Sequence, residues 1–99
     1  MKRVSAVLLL LTLPLDALAT TVRGRVDFAL GGGMVPMNGA TVTLCVPSGG
    51  CLQYRTGPDG MYYFNTAPGN YLLQVNARVP TPLAVPNQAY VDVPPLQGN

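Results

Sequence analysis

From Thr21 to Phe28 apolar and polar residues alternate without a break: Val22, Gly24, Val26 and Phe28 fall on one side, Thr21, Arg23, Arg25 and Asp27 on the other. A period of two predicts a strand with one wet face. Gly24 interrupts the apolar side and predicts close approach of another backbone, or a bulge. The alternation returns from Ala40 to Val46, where Val42, Leu44 and Val46 oppose Thr41, Thr43 and Cys45. It resumes from Cys51 to Thr56, Met61 to Asn65, Tyr71 to Val75 and, briefly, Ala89 to Val93. Tyr62, Phe64, Tyr71, Leu73 and Val75 are the expected core of the central strands.

Turn chemistry separates these pieces. In Gly57-Pro58-Asp59-Gly60, Pro58 presets φ, Asp59 bonds its own downstream backbone and Gly60 takes a positive φ. Pro68-Gly69-Asn70 is expected to repeat the device. Asn38-Gly39 closes a long stretch that begins at Gly31-Gly32-Gly33. The triple glycine invites a phosphate-cradling reading, but no lysine or helix follows it, so a flexible connection is expected. Pro80, Pro82 and Pro86 forbid a central strand between Ala77 and Gln88 and predict an extended edge or a crossing loop. Pro94-Pro95 is expected to end the last strand. Seven strand-like pieces at most, with no helical period, predict an all-β, Greek-key-like β-sandwich.

The N-terminal residues stand apart. Lys2 and Arg3, the apolar run Val4 to Leu15 and the small residues Ala17-Leu18-Ala19 form a secretory signal peptide, residues 1–19. An uncleaved anchor is the rival reading, but the run is well short of the roughly 20 residues of a membrane span. Cleavage leaves 99 − 19 = 80 residues, 20–99, as a single domain with a proline-rich C-terminal part. A core of that size is marginal by itself. The destination is the periplasm or the medium, with no membrane span in the mature chain.

In the Cys45 and Cys51 strands, pairing Cys45 with Cys51 also places Leu44 opposite Leu52, so both parities agree on one hairpin. Two cysteines flanking one turn in an exported domain are expected to form a disulfide. A redox role is the alternative, but the spacing is not Cys-x-x-Cys and nothing nearby lowers a thiol pKa. A closed zinc site needs four ligands and the chain has no histidine, so no metal or other cofactor is expected.

The charge is sparse. Arg23, Arg25, Arg55 and Arg78 against Asp27, Asp59 and Asp92 give the mature part 4 − 3 = +1. Nucleic acid, which demands clustered Lys and Arg, is not an expected partner. Each aspartate has a surface or turn explanation, and Ser48 sits in a glycine turn without a histidine to activate it. No enzyme is expected.

The blocks Val-Arg-Gly-Arg-Val, Asn-Gly-Ala-Thr-Val-Thr-Leu, Thr-Gly-Pro-Asp-Gly-Met-Tyr-Tyr-Phe and Pro-Gly-Asn-Tyr-Leu-Leu-Gln-Val together resemble the carboxypeptidase regulatory-like domain. The resemblance covers most of Val22 to Val75 and implies a transthyretin-like (prealbumin-like) sandwich. Its motifs are turn glycines and core positions, which speak to fold and not to activity. Gly57-Pro58 stands where the family often has Thr-Asp, and the Cys45 to Cys51 insert is this chain's own. Enzymes resembling this sandwich use histidine, and isopeptide-forming adhesin repeats use a core lysine. The mature chain has neither. Two functions are expected to compete. One is a protein-interaction or structural accessory module that docks an envelope or surface protein through a sheet edge or a loop. The other is a small carbohydrate-binding module whose ligand-facing residues are Tyr63 and Tyr90, with Tyr54 a weaker candidate because it shares the parity of Leu52, expected to be buried.

Overall fold

A computed structural model describes residues 19–98. The proposed leader, 1–19, lies outside the described residues except for Ala19. Eight strands follow in order: β1 (Thr20–Leu30), β2 (Gly33–Pro36), β3 (Thr41–Cys45), β4 (Cys51–Arg55), β5 (Met61–Thr66), β6 (Gly69–Val75), β7 (Thr81–Val85) and β8 (Tyr90–Gln97). They form two sheets and no helix among the described residues, the β-sandwich that the alternation predicts. Sheet A centres on β1, with β5 and β2 antiparallel to it and β8 parallel. Sheet B has the antiparallel order β4-β3-β6-β7.

The expected core is in place. Tyr62, Phe64, Tyr71, Leu73 and Val75 are all buried, and Val22, Val26, Val42 and Leu44 join them from β1 and β3. The Gly57–Gly60 turn closes as its chemistry dictates. Gly60 donates its N–H to the Gly57 carbonyl (2.9 Å) at φ 73°, and the Asp59 carboxylate accepts the Met61 N–H (3.0 Å). The β3–β4 register is Cys45 to Cys51 and Leu44 to Leu52, and the disulfide is formed with a Cα separation of 4.0 Å.

Six expectations need correction. The Gly31-Gly32 stretch is not a flexible connection: both glycines have positive φ (59° and 84°) between the paired residues Leu30 and Gly33. That is the two-residue hairpin turn whose twist matches its strands, and it creates β2 as the eighth strand. Pro68-Gly69 does not repeat the Gly57–Gly60 device, because Gly69 is nearly extended (φ 159°) and already belongs to β6. The turn there carries the chain from sheet A to sheet B and is closed by the Tyr71 hydroxyl, which donates to the Ala67 carbonyl (2.6 Å).

Pro94-Pro95 does not end the last strand, since β8 runs on to Gln97. The pairing shifts from Gly24–Val93 to Val26–Leu96, so the prolines occupy a bulge on an edge strand, where their missing N–H groups cost no ladder bond. The extra residue of that bulge lies in β8, beside Gly24 and not in it, and what comes close to Gly24 is the Tyr62 side chain and not another backbone. Asp27, assigned to the wet face, is only 2% exposed. It forms an ion pair with Arg25 two residues away (2.8 Å) and its backbone carbonyl accepts the Gly98 N–H (2.8 Å). Leu52, assigned to the buried face, is half-exposed at 50%, because β4 is the edge of its sheet and Leu52 borders the open hollow beside the disulfide.

Candidate functional site

The outer face of sheet A gathers most of the charge. Odd-numbered residues of β1 point outward, and Arg23 lies between Tyr63 of β5 and Asp92 of β8 in the strand register. Tyr90 stands two pairs along, opposite Thr21 and next on the same face. The Arg23 guanidinium donates to the Asp92 carboxylate and lies 4.6 Å from the centre of the Tyr90 ring. The hydrogen bond from Arg23, helped by charge attraction and opposed by desolvation, holds the Asp92 carboxyl below its ordinary 3.8, and the same bond raises Arg23. The pair is exposed, so solvent and salt screen it and it adds little to stability.

Both tyrosines singled out from sequence, Tyr63 and Tyr90, are exposed on this one face. They do not form a continuous aromatic row. The β1 strand and Arg23 separate them, one face of Tyr90 is taken by the guanidinium, and Tyr63 is met edge-on by Tyr54 (6.0 Å, 74°). Tyr54 turns its ring over the rim of β5 and also touches Phe64 (6.2 Å). What the face offers a ligand is two ring surfaces around a guanidinium–carboxylate pair, suited to hydroxyl-bearing compounds. The part played by Arg23 went unread in the sequence. Its signal was the outward parity shared with Thr21, but Asp92 is brought to it only by the parallel pairing of β8.

The second feature is an edge. Val46 donates to the Gly50 carbonyl (2.8 Å) and Thr56 donates to the Ala40 carbonyl (2.9 Å). Even-numbered residues of the β4 segment thus face β3. In an antiparallel ladder the alternate residues face the other way, so Cys51, Gln53 and Arg55 direct their N–H and C=O groups away from the sheet. No strand of the described residues pairs with them. Of the other sheet edges, β7 contains Pro82 and β8 contains Pro94 and Pro95, which cannot donate to an added strand; β5, paired only with β1, has no proline, but the first of its outward N–H groups, that of Met61, is taken by the Asp59 carboxylate (3.0 Å). An open groove of about 260 Å³ runs between β7 and β8, lined by Leu73, Leu83, Val93 and Leu96 with those prolines. A hollow of about 290 Å³ lies beside the disulfide, walled by Leu44, Val46, Leu52 and Tyr71.

Each carboxylate of the domain has a structural partner: Asp27 is tied to Arg25, Asp59 to its own turn and Asp92 to Arg23. Ser48 lies in the β3–β4 turn. Among the described residues no three His, Cys, Asp or Glu side chains come together as metal ligands, and no helix is long and apolar enough to cross a membrane.

No family model matches the chain, and no curated protein is similar to it. Among solved structures it is similar to a DUF3823 family protein from Bacteroides ovatus ATCC 8483, with a TM-score of 0.54 and 18% identity over 76% of this chain. The likeness is one of fold. This chain spans 42% of that protein, less than half its length.

Proposed function

We propose that this chain is a non-catalytic accessory module, exported to the periplasm or beyond, that binds an envelope or surface protein through an exposed strand edge. The observation that carries the reading is the β4 edge, where three alternate residues turn their backbone groups away from the sheet with no proline among them, while β7 and β8 are guarded by proline and β5 has its first outward N–H taken by Asp59. Strand addition at such an edge draws affinity from main-chain bonds and specificity from alternate side chains. The disulfide that pins one end of β4 is compatible with an oxidising compartment. The fold shared with the Bacteroides protein and the resemblance to the carboxypeptidase regulatory-like domain both support an accessory role. In the test, the mature domain and its Gln53→Pro variant are used as baits in envelope extracts, and the captured protein is identified, purified and remixed. Direct binding that the variant loses is the expected result. Equal binding by both would remove the edge from the account.

Carbohydrate binding is the second reading, favoured by the exposed Tyr63 and Tyr90 flanking the Arg23–Asp92 pair. A glycan array probed with the domain and with Tyr90→Ala separates the two. A hit lost in the variant, without any protein partner, would reverse their order.

A further inference from the structure

We infer that β4 also pairs with β4 of a second copy of this chain, joining two B sheets edge to edge about a two-fold axis through Gln53. This rests on the reading of β4 as a binding edge and names one occupant of it. The outward backbone groups belong to Cys51, Gln53 and Arg55, a set symmetric about its middle member. In an antiparallel pairing Gln53 therefore meets Gln53 of the second copy and Cys51 meets Arg55, and every outward N–H and C=O of both strands finds a partner.

The side chains agree with that register. Leu52, half-exposed on the inward-facing side of its strand, falls opposite Tyr54 of the second copy, an aliphatic–aromatic pair of the kind that stabilises antiparallel strands. On the other face the two Gln53 amides lie side by side and can bond each other. Arg55 meets Cys51 and not another arginine, so no like charges oppose. The domain's own net charge of +1 adds little repulsion between copies. At β7 and β8 proline breaks the donor row, and at β5 the outward Met61 N–H is already taken by the Asp59 carboxylate, so β4 has the longest uninterrupted row of outward donors and acceptors. The interface is one five-residue strand wide, small beside the roughly 1,600 Å² of a standard protein interface. The dimer is therefore weak and concentration-dependent.

Sedimentation velocity of the purified, oxidised domain from micromolar to about millimolar concentration tests this, with amide hydrogen exchange at both ends of the range. A concentration-dependent dimer is expected, in which exchange slows at Cys51, Gln53 and Arg55 and stays unchanged at Leu52 and Tyr54, which already bond to β3. Gln53→Glu and Gln53→Lys place like charges across the axis, so each alone is expected to be monomeric, while an equimolar mixture dimerises. A parent domain that stays monomeric throughout overturns the proposal, as does dimerisation of either charged variant at the parent's strength. If the parent is monomeric yet Gln53→Pro abolishes binding of an identified partner protein, self-pairing falls and the accessory reading stands. If that variant changes neither, both fall.

Discussion

Gly24 of β1 sits directly opposite Tyr62 of β5, and a Cβ built on Gly24 would lie 2.3 Å from the Tyr62 hydroxyl oxygen and 2.6 Å from the ring carbon that bears it. The glycine is the hollow into which a fully buried ring fits. The hydroxyl at its tip is buried and meets no hydrogen-bond partner among the described residues. Gly24→Ala is therefore expected to cost about 1–3 kcal/mol by overpacking. Tyr62→Phe alone is expected to be close to neutral, because it deletes an unpartnered polar atom. Combined, the two should couple, with the phenylalanine recovering part of the alanine's cost. Urea denaturation of the four members of the cycle measures it, and strict additivity would contradict the contact.

Burial also raises the Tyr62 phenol above its ordinary 10.0. Unfolding exposes the phenol and lets it lose its proton at the ordinary value, so between the unfolded and folded values the unfolded state binds fewer protons. This contribution to stability is complete below pH 10 and declines as pH rises beyond it. Tyr62→Phe should flatten that part of the alkaline unfolding profile, monitored by circular dichroism.

The Cys45–Cys51 disulfide closes a loop of seven residues, counting both cysteines. On the chain-entropy formula that contributes about 2.4 kcal/mol. At roughly 4–8 °C per kcal/mol for a domain of this size, reduction or a double Cys→Ser variant should lower Tm by about 10–20 °C. Calorimetry with and without reductant checks this.

Thr56 holds together the open end of the β3–β4 hairpin. Its hydroxyl accepts the Ala40 N–H (2.9 Å) and donates to the Met37 carbonyl (2.6 Å), with the residue 3% exposed. Thr56→Val preserves the shape and strands both backbone groups, at an expected cost of about 1–3 kcal/mol. Thr56→Ser should retain most of the stability in the same denaturation assay.

Gly31-Gly32 offers a test of the hairpin against a merely flexible loop. Replacing the pair by Asn-Gly, which also accepts positive φ, should be tolerated, whereas Val-Val should unpair β2. Amide exchange at Gly33 and Val35, whose N–H groups face β1, reports the difference: equal protection in both variants would mean that the turn type does not matter.

Much of the fold is legible locally. The Gly57–Gly60 turn, the Asn38-Gly39 turn with Gly39 at φ 82°, the core parity of β5 and β6 and the cysteine register all depend on residues close in sequence, whose backbone preferences and alternation act within a few positions. The β1–β2 hairpin was equally local but missed, because Pro36 and the broken alternation of Met34-Val35 hid the second strand.

What only the tertiary structure decided is which strands become neighbours and which edges stay open. The parallel pairing of β8 brings Asp92 and Tyr90 to Arg23, and β5 and β6, adjacent in sequence, fall in different sheets. Period two assigns a side chain to a face but carries no information about what covers that face. Asp27 is thus buried despite its polar parity and Leu52 half-exposed despite its apolar one, since burial depends on the opposing layer and a strand cannot encode how far that layer extends.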